Sequence, residues 1–250
     1  MVLALQRFFL QAESSDLSLL QMPETIRLSG LRYIVSAEYL SEMESQGITV
    51  PDSLEGAILK RKVEFAAGRF CARSALQQLG YWSDALLVRG TDRAPTWPAG
   101  YLGSISHCNG LAIAAAAKTS CWSGVGIDIE HPLDKEAAQP IVAQLATNAE
   151  MRIGTEKGLT LEQWATLIFS AKESLFKALY PKVGRYFDFL DTAVCQLRAE
   201  EACIVIQLLT TLSPQYVEGA EYCVRYTYFD DCVVTLCQLP IQAAPRLHSA

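Results

Sequence analysis

Seven residues, Gly124-Val125-Gly126-Ile127-Asp128-Ile129-Glu130, restrict what this chain can fold into more than any other stretch. β-Branched residues alternate there with glycines and acids, and a period of two separates into two faces only in a strand. Val125, Ile127 and Ile129 then point into a core, and Gly124, Gly126, Asp128 and Glu130 point the other way. Two carboxylates on one face, about 7 Å apart at their Cα atoms, can converge on a hard divalent cation. The glycines beside them are expected to leave room for a bulky ligand close to the backbone. Taken alone, the same pattern also fits an exposed strand face with two solvated acids.

The elements around this strand set the fold class. Leu59 to Leu79 reads as a long helix, with Leu59, Val63, Ala66 and Phe70 at helical spacing and Gly80 as its stop. Leu161 to Leu179 reads as a second, with Ile168, Ala171, Leu175 and Ala178 as its buried stripe. Strands are predicted at Ile26–Val35, with a turn or bulge at Gly30, and at Gly103–His107, Leu111–Ala117 and Gly124–Glu130. Four more follow at Thr192–Leu197, Cys203–Leu209, Tyr222–Phe229 and Cys232–Leu239. The proline-bearing stretch Arg89–Gly100 reads as a loop, His131–Pro140 as a connection between halves, and residues 241–250 as a frayed tail. One long helix and a few strands in each half make an α+β protein.

Composition narrows the function. The chain has 250 residues, half of them hydrophobic, enough for one large domain or two small ones. Its formal charge of −6 argues against a general nucleic-acid binder, although a local cluster of cations can still take a ligand with several phosphates. No apolar run reaches the roughly 18 residues of a membrane span, and Met1–Asp16 lacks the basic leader of a secretory signal, so a cytoplasmic protein is expected. The eight cysteines fall mostly in patterned apolar segments and are expected to be buried and reduced. With no CxxC and three histidines, the spacing gives no sign of zinc.

Three further stretches carry chemistry. In Phe169–Lys177, Glu173 and Lys177 stand four apart opposite the buried stripe, as a surface ion pair or as a carboxylate and a cation for a phosphate ligand. Ser106 and His107 end a strand before the Asn109-Gly110 turn, where the histidine serves the structure of the turn or both donate to phosphate. Arg61 and Arg69 lie two turns apart on the first long helix, about 80° apart around it. They form a solvated basic face or bind phosphate, which arginine suits because its fork is planar and permanently charged. Gly68 between them costs about 1 kcal/mol in a helix, which a close approach would explain.

Together these stretches resemble the Sfp-type 4′-phosphopantetheinyl transferases, and most of all the subgroup of the enterobactin-synthetase component D. The resemblance spans roughly residues 55 to 190 and rests on Arg61–Leu76, Arg93–His107, Gly124–Glu130 and Phe169–Pro181. It implies two similar α+β halves related by a pseudo-twofold, each a long helix on a small antiparallel sheet, with the active site between them. Residues 1–123 would form the half that binds coenzyme A phosphates and residues 124–240 the half that binds metal. Asp128, Glu130 and Glu173 would hold Mg²⁺, with Mn²⁺ as a substitute. Arg61, Arg69, Ser106 and His107 would contact the phosphates of coenzyme A, with Arg89 and Arg93 as neighbours and Lys172 and Lys177 flanking the pyrophosphate.

The implied reaction is attack by a carrier-protein serine on the β-phosphate of coenzyme A, expelling adenosine 3′,5′-bisphosphate. Glu173 would be the base, directly or through a water, and His107, Lys177 and the arginines would stabilise the added negative charge. An acyl or peptidyl carrier protein would be the partner, in siderophore, fatty-acid or polyketide biosynthesis, and the enzyme would be a monomer. The Leu133–Arg152 region, with Lys135 and Arg152, is the candidate docking surface. Two rivals stand beside it: a metal-dependent hydrolase of nucleotide pyrophosphates, which would use the same carboxylates and cations without a protein acceptor, and a non-catalytic carrier-binding module, which would not need Asp128, Glu130 and Glu173.

Overall fold

The computed structural model describes residues 7–8, 20–83, 87 and 94–241. Among the described residues, two antiparallel sheets each carry a long helix. The first sheet runs β1 (Arg7–Phe8), β2 (Ile26–Arg32), β4 (Leu111–Lys118), β3 (Tyr101–Cys108) in spatial order. The second runs β5 (Trp122–Glu130), β9 (Cys232–Pro240), β8 (Glu221–Phe229), β7 (Cys203–Leu208), β6 (Thr192–Arg198). Helix α2 (Leu59–Gln78) lies on the first sheet and α5 (Leu161–Val183) on the second, while α1 (Ala37–Ser45), α3 (Lys135–Leu145) and α4 (Asn148–Glu156) pack around them.

Alternation along β4 explains the layering. Ala112, Ala114 and Ala116 meet α2, and Leu111, Ile113, Ala115 and Ala117 face the other way. There they join Val125, Ile127 and Ile129 of β5 and Val234 and Leu236 of β9 in a core between the sheets. The four layers are therefore helix, sheet, sheet, helix. Small side chains let α2 approach closely, and a β-carbon on Gly68 would stand 2.8 Å from the Ile105 side chain of β3. That contact is the close approach expected for this glycine.

On the other side, α5 rests on β5. A β-carbon on Gly126 would overlap the Ser174 carbonyl, and one on Gly124 would stand 2.5 Å from the Ala178 carbonyl oxygen. The two glycines are there for the helix backbone, and the space expected for a ligand is filled by α5. Below the helix, Thr235 Oγ1 lies 2.9 Å from Ser170 Oγ and 2.6 Å from Ser174 Oγ, and it donates to the Ser170 carbonyl. These bonds satisfy hydroxyls that burial would otherwise penalise. A Thr160–Gln163 capping box starts α5 and Gly184, at φ 69°, ends it.

Several sequence expectations change here. Gly30 sits in unbroken register between Phe8 and Ile113, with neither turn nor bulge. His131–Pro140 connects β5 to α3 and forms part of that helix, which begins after the Asp134 cap. A disulfide joins Cys203 and Cys223 on adjacent strands, and the other six cysteines are free. Cys195 and Cys223 face solvent, because they occupy outward positions of their strands. Of the predicted frayed tail, residues 242–250 lie outside the described residues.

Candidate active site

The glycine-seated helix places the charged groups. With the α5 backbone at Ser174 and Ala178 against Gly124 and Gly126, Lys177 in that same turn reaches the following outward position of β5, Asp128. Lys177 Nζ donates to Asp128 Oδ1 at 2.6 Å and to Ser106 Oγ at 3.1 Å. Ser106 in turn donates to the same Asp128 oxygen at 2.7 Å. Glu173 Oε2 stands 4.0 Å from Lys177 Nζ. The surface-pair reading of Glu173 and Lys177 therefore gives way to a partly buried pair facing β5.

Asp128 is 1 % exposed. Its second oxygen, Oδ2, is buried and accepts from no donor among the described residues. A buried carboxylate oxygen without a partner costs on the order of 1–3 kcal/mol or more, so a site that retains one is shaped for something else. Glu130 shares this face of β5, and burial, then the Asp128 charge, raises its carboxyl to about 7. Burial raises Glu173 above its ordinary value too, against the pull of Lys177. Burial works to lower the Lys177 ammonium, but Asp128, Glu173 and Glu130 together hold it above its ordinary value. Three carboxyl groups sharing one lysine is an excess of negative charge, and all-oxygen donors fit a hard divalent cation.

Alternation along β3 turns His107 away from Ser106 and towards α2. Arg61 donates to His107 Nε2 at 3.0 Å, and Glu64 lies 3.5 Å from Arg61 and 3.9 Å from His107 Nδ1. An imidazole nitrogen that accepts from a guanidinium is unprotonated, so the ring hydrogen sits on Nδ1, facing Glu64. Burial, reinforced by Arg61 and Lys177 and opposed by Glu64 and Asp128, holds the imidazole below its ordinary value. Arg61, Glu64, Phe65, Arg69, Ile105 and His107 line a pocket of about 140 Å³ that opens to solvent. The Arg69 guanidinium stands 4.6 Å above the Phe65 ring and donates through Nε to the Leu87 carbonyl at 2.9 Å.

Residues 50–117 match the family model described as the 4′-phosphopantetheinyl transferase N-terminal domain, and residues 124–237 that of the 4′-phosphopantetheinyl transferase superfamily. Enterobactin synthase component D of Escherichia coli strain K12 is 33 % identical over 185 residues, covering 74 % of this chain and 81 % of that protein. The chain belongs to the 4′-phosphopantetheinyl transferase superfamily. The transferase Svp of Streptomyces mobaraensis is 40 % identical over 133 residues, 53 % of this chain and 54 % of Svp, so the match spans about half of that relative. The Mycobacterium tuberculosis transferase PptT is 33 % identical over 139 residues, 55 % of this chain and 60 % of PptT. The activity of this transferase is the movement of phosphopantetheine onto a carrier protein.

Two residues expected at the phosphates stand elsewhere in this transferase. Lys172, one residue before Glu173, projects about 100° around α5 from it and is 2 % exposed. Its ammonium pairs with Glu150 at 2.8 Å and donates to the carbonyls of Leu145, Phe189 and Thr192. Side chains 100° apart on a helix cannot both face β5, so Lys172 does not flank a ligand there. Ser106 is buried and uses its hydrogen on Asp128, which makes it a positioning group for that carboxylate. Arg89 and Arg93 lie outside the described residues. Glu64 and Phe65 went unassigned in the sequence reading, although the three-residue offset of Glu64 from Arg61 was a signal for a helical ion pair.

Proposed function

We propose that this transferase moves the phosphopantetheine arm of coenzyme A to a serine of an acyl or peptidyl carrier protein and releases adenosine 3′,5′-bisphosphate. Asp128, Glu130 and Glu173 would hold Mg²⁺ or Mn²⁺, and the observation that carries this reading is the buried, unpartnered Oδ2 of Asp128 beside two carboxyls raised by burial. Bound there, a divalent cation would neutralise pyrophosphate charge as the phosphoryl group transfers. Arg61, Arg69 and His107 would take the coenzyme A phosphates, and their common pocket supports that assignment. Arg89 and Arg93 would extend it. The division of labour would follow the halves, residues 1–123 gripping phosphates and residues 124–240 supplying the carboxylates.

Glu173 is the base of this proposal. The carrier serine loses its proton to Glu173 as its oxygen bonds to phosphorus, and the bond from phosphorus to the adenosine bisphosphate oxygen breaks. A carboxylate raised above its ordinary value holds a proton better than an exposed one. Lys177 would steady the charge that grows on the phosphoryl oxygens. Lys135 on α3 and Arg152 on α4 are exposed, which suits docking of an acidic carrier surface. We place the enzyme in the cytoplasm as a monomer; no helix among the described residues is long and apolar enough to cross a membrane.

Intact mass spectrometry of an apo carrier protein, incubated with coenzyme A, Mg²⁺ and this protein, tests the proposal. The expected result is the gain of one phosphopantetheine, abolished by EDTA and by Asp128→Ala. Free phosphopantetheine released without a carrier would point to a pyrophosphate hydrolase instead. Full turnover by Glu173→Gln with normal metal binding would remove Glu173 as the base.

A further inference from the structure

Three strand ends meet just beyond Glu130. Cys108 closes β3, His131 follows β5, and Cys232 opens β9. Their ligand atoms all lie within 4.8 Å of one another. Cys108 Sγ is 3.9 Å from Cys232 Sγ, and Cys232 Sγ is 3.2 Å from His131 Nδ1. Asp231 adds an oxygen 3.5 Å from His131 Nδ1 and 3.7 Å from Cys232 Sγ. Tetrahedral zinc, with bonds of about 2.3 Å to sulfur and about 2.0–2.2 Å to nitrogen or oxygen, sets its ligand atoms about 3.4–3.8 Å apart. The separations found here bracket that range.

An independent observation fixes the imidazole. His131 Nε2 lies 2.9 Å from the Asn109 carbonyl oxygen. A carbonyl only accepts, so Nε2 carries the hydrogen and Nδ1 keeps its lone pair, aimed at the two sulfurs. Metal-ligating histidines are oriented by this kind of backbone bond. Access is also built in: Cys232 is fully buried, whereas the side chains of His131 and Asp231 are 37 % and 73 % exposed. No spacing along the chain marks this group, because positions 108, 131 and 232 come together only through the packing of the two sheets.

We propose that Cys108, His131 and Cys232 bind one zinc ion, with Asp231 or a water as the fourth ligand, at a site separate from the three carboxylates. Zinc there ties the end of β3 in the first sheet to β5 and β9 in the second, immediately after Glu130. The full-length protein, stripped of metal and kept reduced, is titrated with Zn²⁺ against a chromophoric chelator and separately with Co²⁺. One equivalent of zinc and a thiolate-to-cobalt charge-transfer band are expected, both retained in Asp128→Ala. Both should be lost in Cys232→Ser and in His131→Ala, whose exposed position keeps the fold as judged by circular dichroism. A protein that takes up no zinc under these conditions, or zinc uptake indifferent to both variants, overturns the proposal. Zinc uptake that is lost in Asp128→Ala, with no thiolate-to-cobalt band in the parent protein, also overturns it, by assigning the ion to the carboxylates. The proposed transfer reaction can fail its own mass test without affecting any of these readings.

Discussion

Lys172→Met separates a structural lysine from a phosphate-binding one. In the folded protein the Lys172 ammonium has four partners: Glu150 Oε1 at 2.8 Å and the carbonyls of Leu145, Phe189 and Thr192 at 2.8, 3.0 and 2.9 Å. Methionine fills a similar volume and supplies none of these bonds. Glu150 keeps its bonds from Thr147 and from the Val194 amide but loses its only cation partner among the described residues. Removing one member of a buried pair costs about 3–5 kcal/mol, because the other charge stays in the interior. At about 2–4 °C per kcal/mol for a chain of this size, the melting temperature should fall by at least about 6 °C. Glu150→Gln in the same background should recover part of the loss, since the coupling resides in the pair. Thermal unfolding followed by circular dichroism reads the stability, and KM for coenzyme A, measured well below the transition, reads the site. The expectation is a lowered melting temperature with KM unchanged. An unchanged melting temperature with KM raised tenfold would refute the structural role and return Lys172 to the phosphates.

Four other predictions are as specific. Gly126→Ala should cost at least about 2–3 kcal/mol by overpacking, since its β-carbon meets the Ser174 carbonyl and stands 2.7 Å from the Ala178 nitrogen, both backbone; thermal unfolding checks it. Glu130, raised from 4.5 to about 7, binds a proton in the folded state that the unfolded chain releases between those values. Metal-free protein should therefore lose up to about 3 kcal/mol as pH rises through that window, and Glu130→Gln should flatten the profile of melting temperature against pH. Divalent-cation affinity should fall as pH drops below about 7, because Glu130 must release that proton to bind; calorimetric titration at several pH values measures it. Arg61→Ala should raise KM for coenzyme A about tenfold or more, from the loss of a charge-assisted contact, with a smaller effect on kcat.

The long helices and most strands were legible because their signals are local. Helical spacing and the Gly80 stop gave α2 to within a residue, and the Asn109-Gly110 turn marked the β3–β4 hairpin. The short helices α1, α3 and α4 were missed: they are nine to eleven residues long, and α3 carries Pro140 inside it. Lys172 was misplaced for a different reason. Its partner Glu150 lies on another helix and is itself held by the Thr147 cap and the Val194 amide, and no one-dimensional spacing carries that network.

The glycines of the β5 stretch show where a periodicity argument stops. Alternation told correctly that Gly124, Gly126 and Asp128 share a face, but it could not tell what covers that face. An open cleft and a helix backbone make the same demand on a side chain, namely that there be none. The structure resolves the ambiguity in favour of the helix, and the consequence for chemistry is larger than a corrected detail. If a ligand filled the space above Gly126, Asp128 could face it without help from α5. Because α5 fills it, the helix is locked at the depth that lets Lys177 reach Asp128 and brings Glu173 beside them. The two motifs read separately in the sequence are thus one device. The glycines set the helix, the helix sets the carboxylates, and Oδ2 of Asp128 is left for the ligand that the site is proposed to hold.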